Sequence, residues 1–163
     1  MIGRWRSAFS ALRSGRRKQY GALPYRIIGQ SYEILLVTSR SSGQWIIPKG
    51  WLGSGMTPPE SAAREALEEA GVIGEPGEHP LGVFSHVKSA VGLLVTVEVY
   101  PLRVTRELDK WDERSQRQRR WFSQPQAITA VSNPRLRALI RNWEPDRLAD
   151  PELFTSGASS GRS

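Results

Sequence analysis

The stretch from Thr57 to Gly71 carries both ends of a helix, and three carboxylates lie inside it. Thr57 suits an N-cap, Pro58 and Pro59 suit the first turn, and Glu60 stands three residues after the cap, where a capping box places its acid. Gly71 supplies the stop after Ala70. Between these ends, residues 64–71 read Arg-Glu-Ala-Leu-Glu-Glu-Ala-Gly. Glu68 and Glu69 are then three and four residues from Glu65, so the three side chains share a face. Like charges at that spacing cost a few tenths of a kcal/mol per pair in water. A hard divalent cation, which takes carboxylate oxygens, would convert the cost into a binding site. By itself the run fits a solvated acidic face equally well.

The segments around this helix read mostly as strands. Residues 25–28 and 32–38 are β-branched or aromatic runs separated by Gly29-Gln30-Ser31, the pattern of a hairpin. Residues 45–47 form a short strand stopped by Pro48, and Gly50 to Gly55 is a glycine-rich loop. Further strands are expected over 81–85 and 93–104, with a short apolar piece at Trp121-Phe122. Two last helices are expected over 124–131 and 134–143, the second capped by Asn133. Mixed in this order, the elements predict an α/β (α+β) fold, a mixed β-sheet sandwiched between α-helices. The expected organisation is a basic extension over 1–20, one domain over 21–154 and a disordered tail over 155–163, too poor in apolar residues to order itself.

Charge separates the extension from the domain. Residues 1–26 hold seven of the 23 basic side chains and none of the 16 acidic ones, so the net charge of +7 belongs to the N-terminal segment and the remainder is balanced. That distribution does not argue for a nucleic-acid-binding domain. Trp5, Ala8, Phe9 and Leu12 recur at helical spacing among arginines, fitting either an apolar stripe packed on the domain or an amphipathic helix against an anionic surface. Arginine without acids is also the composition of an organelle transit peptide. The absence of cysteine excludes disulfides and thiolate metal sites. With no secretory pattern, a cytoplasmic location is the default expectation.

Taken with the loop before it, the helix becomes specific. Gly50, five residues, Met56, seven residues, then Arg64-Glu65-Ala66-Leu67-Glu68-Glu69-Ala70-Gly71-Val72 resembles the Nudix box. Every fixed position of that box fits except its first glutamate, which is Met56 here. The strings Val37-Thr38-Ser39-Arg40 with Trp45-Ile46-Ile47-Pro48-Lys49-Gly50, and Glu107-Leu108-Asp109-Lys110-Trp111 with Arg119-Arg120-Trp121-Phe122, resemble diphosphoinositol polyphosphate phosphohydrolase-like members. The similarity spans roughly residues 24–142.

The resemblance implies a Nudix-type sheet between helices and a Mg2+- or Mn2+-dependent pyrophosphohydrolase. Its expected substrate is a polyphosphorylated small molecule, a diphosphoinositol polyphosphate or dinucleoside polyphosphate. It makes Glu68 and Glu69 the expected primary metal ligands, Glu65 a ligand with a share in activating water, and the Gly50 carbonyl a further ligand. The metal would neutralise phosphate charge, orient the substrate and lower the pKa of bound water. Arg64 is expected to brace loop against helix. Because Met56 cannot form the usual charge pair, Glu60, four residues before Arg64, is expected to substitute for about 0.3–0.5 kcal/mol. Arg40, Lys49 and Arg119 are the expected phosphate-binding residues. His86 and Lys88 are expected in an inter-strand loop, His79 in solvent, and Glu98 either as an outward-facing strand residue or as a distant metal or base group. Trp51 is the tryptophan placed for ligand contact. A non-catalytic module binding a phosphorylated ligand is the alternative.

Overall fold

The computed structural model describes residues 17–88 and 92–146. Expectations for residues 1–16 and for the tail over 155–163 lie outside the described residues. Eight strands, β1 (Lys18–Ile28), β2 (Ser31–Thr38), β3 (Trp45–Ile46), β4 (Lys49–Gly50), β5 (Val72–Pro76), β6 (Gly82–Lys88), β7 (Leu93–Glu107) and β8 (Arg119–Ser123), form one sheet. Among the described residues three helices accompany them: α1 (Pro58–Ala70), α2 (Gln124–Ala130) and α3 (Pro134–Arg141).

The sheet is mixed, as expected, and its parallel element is central. β1 runs parallel to β7, from Lys18 opposite Thr96 to Tyr25 opposite Arg103, while β2, β4, β5, β6 and β8 pair antiparallel with their neighbours. Alternation along these strands sends side chains to two cores. Ala22, Leu35, Val37, Tyr100 and Leu102 meet α1 through Ala62, Ala66 and Ala70. Leu23, Ile34, Leu36, Val97 and Val99 meet Ala127, Leu136 and Ile140 on the other face. A central sheet covered on both faces shows near-continuous apolar runs, which is how residues 34–37 read. Alanines on the buried side of α1 let that helix lie close to the strands.

The local signals of α1 hold. Thr57 and Glu60 form the reciprocal capping box, and Gly71 ends the helix in the left-handed region at φ 63. A Cβ at Gly71 would lie 2.6 Å from the Trp111 ring, so glycine is required there twice over.

Several boundaries moved. β1 begins at Lys18, inside the expected extension, because pairing with β7 supplies its hydrogen bonds despite the basic run. β4 and β5 were not expected: one is two residues long, and the other holds glycine, glutamate and proline against the edge of β7. β6 continues to Lys88, paired with Leu93, so His86 and Lys88 lie on a strand and not in a loop. α3 stops at Arg141, and Trp143 beyond it packs edge-on against Tyr25 at 5.0 Å.

Candidate active site at the loop and helix of residues 50–71

The loop preceding α1 is tied to the helix at two points. Gly53 N–H donates to the buried Ser61 hydroxyl at 3.0 Å. The Arg64 guanidinium donates to the Trp51 carbonyl at 3.2 Å and approaches the Met56 sulfur at 3.7 Å. Arg64 therefore joins loop to helix through the Trp51 carbonyl, and Glu60 is not its partner. The Glu60 carboxylate accepts from Thr57 N–H at 2.8 Å, which holds its side chain back toward the N-cap. Arg64 instead pairs with Glu65 at 3.0 Å and with Glu68 at 3.7 Å.

The three glutamates are not equivalent. Glu65 and Glu69, one turn apart, are only 6% and 5% exposed. Glu68 has a side chain 32% exposed and sits at the margin beside Arg64. Glu65 fills the space above Gly50, where an added Cβ would come within 2.3 Å of its carboxylate. Glu69 accepts from Lys49 N–H at 3.3 Å and from Arg117 at 3.1 Å. Burial pushes the Glu69 carboxyl up to about 7, against the pull of Arg117 and Lys49.

Cations gather around this pair. Lys49 is pulled below the usual lysine range by burial, opposed by Glu69 and reinforced by Arg117 and Lys88. Arg40, 51% exposed, reaches Gln116 at 3.0 Å and Glu113 at 3.3 Å. Lys88 lies 5.3 Å from the centre of the Trp51 ring. His86 meets Gln19 at 3.2 Å, and burial with the nearby Lys49 charge lowers its imidazole to about 4.

Arg119 is placed differently from the phosphate-binding role expected of it. Its guanidinium donates to the carbonyls of Ala70, Gly71 and Leu108 at 2.9, 3.2 and 2.8 Å and stacks 4.0 Å from the Trp111 ring. A cation on the last carbonyls of α1 answers the negative end of the helix dipole. Glu98 pairs with Lys18 at 2.7 Å and accepts from Tyr100, in the strand row where Tyr20 stands between it and Gly50. Sequence reasoning missed Glu113, which is 2% exposed, and its pairing with Arg117. The four-residue spacing between them was the available signal, since it is that of an ion pair on a helical turn.

Glu65, Glu68, Glu69 and the Gly50 carbonyl are hard oxygen donors, the chemistry that suits Mg2+ and Mn2+. Among the described residues no three His, Asp or Glu side chains converge as a ready cation site. Arg64 and Arg117 instead balance the carboxylates, so a bound cation would replace guanidinium contacts.

Residues 17–143 match the family described as NUDIX domain. The chain belongs to the Nudix family. It is 33% identical over 129 residues to Nudix hydrolase 17, mitochondrial, of Arabidopsis thaliana, covering 75% of this chain and 70% of the relative. It is 35% identical over 121 residues to diphosphoinositol polyphosphate phosphohydrolase 2 of Rattus norvegicus, covering 73% and 65%. The Nudix fold recurs in the crystal structure of the C. elegans Ap4A hydrolase, with TM-score 0.61, 21% identity and coverage of 76% and 92%. The protein is thus a Nudix hydrolase, one of a family that acts on pyrophosphate bonds and generally uses divalent metal ions. Among the described residues of this Nudix domain, no helix is long and apolar enough to cross a membrane.

Proposed function

We propose that this Nudix hydrolase cleaves a phosphoanhydride linkage in a polyphosphorylated small molecule, a diphosphoinositol polyphosphate or a dinucleoside polyphosphate, with Mg2+ or Mn2+. The observation that carries the reading is the pair of buried carboxylates, Glu65 and Glu69, beside Lys49 and Arg117. Burying carboxylates is costly unless cations compensate them, and a cationic rim is also what phosphate oxygens require. The names of the rat relative and the C. elegans neighbour support the substrate class.

In this reading Glu65, Glu68, Glu69 and the Gly50 carbonyl hold the ion. When bound, it supplies charge neutralisation at phosphate and a more acidic water. Arg64 keeps the loop against the helix so that Gly50 and Glu65 stay in register. Arg40 and Lys49 bind phosphate oxygens from the strand side, and Lys88 with Trp51 forms an outer wall.

A second reading, a module that binds the phosphorylated ligand without turnover, is favoured by Met56 and by the guanidinium partner each glutamate already has. A phosphate-release screen over polyphosphorylated substrates with Mg2+, run beside Glu69→Gln, separates the two. The hydrolase reading expects at least one substrate turned over by the natural protein and about 100-fold more slowly by the variant. Ligand binding with no release by either protein would favour the module.

A further inference from the structure

Arg117, Glu69 and Glu113 form a buried charge cluster in which all three side chains are at most 7% exposed. Each nitrogen of the Arg117 guanidinium has its own partner. Nε faces Glu113 at 3.3 Å, one terminal nitrogen donates to the Thr38 carbonyl at 3.0 Å, and the other reaches Glu69 at 3.1 Å. The turn that carries Glu113 and Arg117 is docked on the end of α1: Glu113 N–H donates to the Glu68 carbonyl at 3.1 Å, and Trp111 donates to the Glu69 carbonyl at 3.2 Å. Arg40 closes the row against Glu113 at 3.3 Å, giving Arg40, Glu113, Arg117 and Glu69 in alternating sign.

A guanidinium shared between two carboxylates neutralises each less than it would neutralise one alone. We infer that Glu113 is a positioning residue: it occupies Nε on the guanidinium edge whose terminal nitrogen reaches Glu69, so that Arg117 meets Glu69 through one nitrogen only and the Glu69 carboxylate stays open to a divalent cation. The inference rests on the metal role proposed for Glu69. Without Glu113, Arg117 would close fully on Glu69 and compete with the ion.

Mn2+ binding to the full chain, followed by electron paramagnetic resonance of the free ion, tests this without relying on turnover. Glu113→Gln is expected to weaken Mn2+ binding about tenfold, the lower end of what removing a group behind a metal ligand costs. Glu113→Asp, which keeps the charge but shortens the reach, is expected to fall between the two. In an Arg117→Met background, adding Glu113→Gln is expected to change affinity less than about twofold, because the route of the effect is gone. An unchanged affinity in Glu113→Gln would overturn the inference. So would an effect that persists without Arg117, since loss of a negative charge alone would then suffice. Circular dichroism checks folding, and if the glutamine variants do not fold, Glu113→Asp against the natural protein decides: weaker binding supports the role and equal binding overturns it. Glu69→Gln measured alongside separates the failures. If it binds Mn2+ as the natural protein does, the metal reading of the site fails; if it alone is weakened, only the role of Glu113 fails.

Discussion

Arg64 donates to the backbone carbonyl of Trp51 across 3.2 Å, and this bond joins loop to helix where Met56 offers no charge. The Met56 sulfur, at 3.7 Å from the same guanidinium, is a weak second acceptor. Loop bracing therefore rests on a backbone atom and tolerates the side chain at position 56.

Met56→Glu is expected to add a partly exposed ion pair to Arg64, raising stability by about 0.5–1 kcal/mol with little effect on turnover. Glu60→Ala is expected to cost about 0.5–1 kcal/mol through the lost capping bond. Its cost should add to that of Arg64→Ala without coupling, because the two side chains share no contact. Urea unfolding of the single and double variants measures this, and coupling above about 0.5 kcal/mol would restore the Glu60–Arg64 pair.

Gly50→Ala is expected to abolish most activity. Its Cβ would sit 2.3 Å from the Glu65 carboxylate, which must move. Displacing a reacting group by about 1 Å costs on the order of 100-fold in rate. Turnover measured together with a thermal melt checks this, and retention of more than half the activity would mean that Glu65 need not occupy that space.

His86 should titrate near 4 by proton NMR, a resonance readily assigned because the chain has two histidines. Its folded value lies below the unfolded value of about 6.5, so the unfolded chain takes up the proton first. The resulting stability is full above about pH 6.5 and is lost as pH falls through about 4. With His86 only partly buried and screened, the loss is on the order of 1 kcal/mol. His86→Gln should remove that slope from the pH dependence of unfolding, and Lys49→Met should raise the NMR titration.

Arg119→Ala is expected to destabilise the fold by about 2 kcal/mol, since the carbonyls of Ala70 and Gly71 at the end of α1 and of Leu108 after β7 each lose a donor. KM should stay within about twofold, because the guanidinium is spent on backbone and not on phosphate. A tenfold rise in KM at unchanged stability would return Arg119 to the substrate.

The parts of this fold that were legible are those whose signals are local. Thr57, Glu60 and Gly71 mark α1 because cap and stop chemistry need no distant partner, and Asn133 marks α3 in the same way. The β1–β2 hairpin was legible from its apolar runs and Gly29. By contrast, β5 exists because β7 offers an edge, and nothing in Val72–Pro76 alone demands a strand. His86 and Lys88 belong to β6 for the same reason, through pairing with residues 93–95.

The site divides along the same line. From sequence alone came the helix, the spacing that puts Glu65, Glu68 and Glu69 near one face, the loop glycine before them and the family to which they belong. Only the tertiary structure decided which of those acids is buried and which cation each one meets. Glu69 faces Arg117 and Lys49, while Glu65 and Glu68 face Arg64. Glu113 enters from a turn far along the chain. Helix periodicity and capping depend on neighbours in the chain, but burial and ion pairing depend on which segments the sheet brings together.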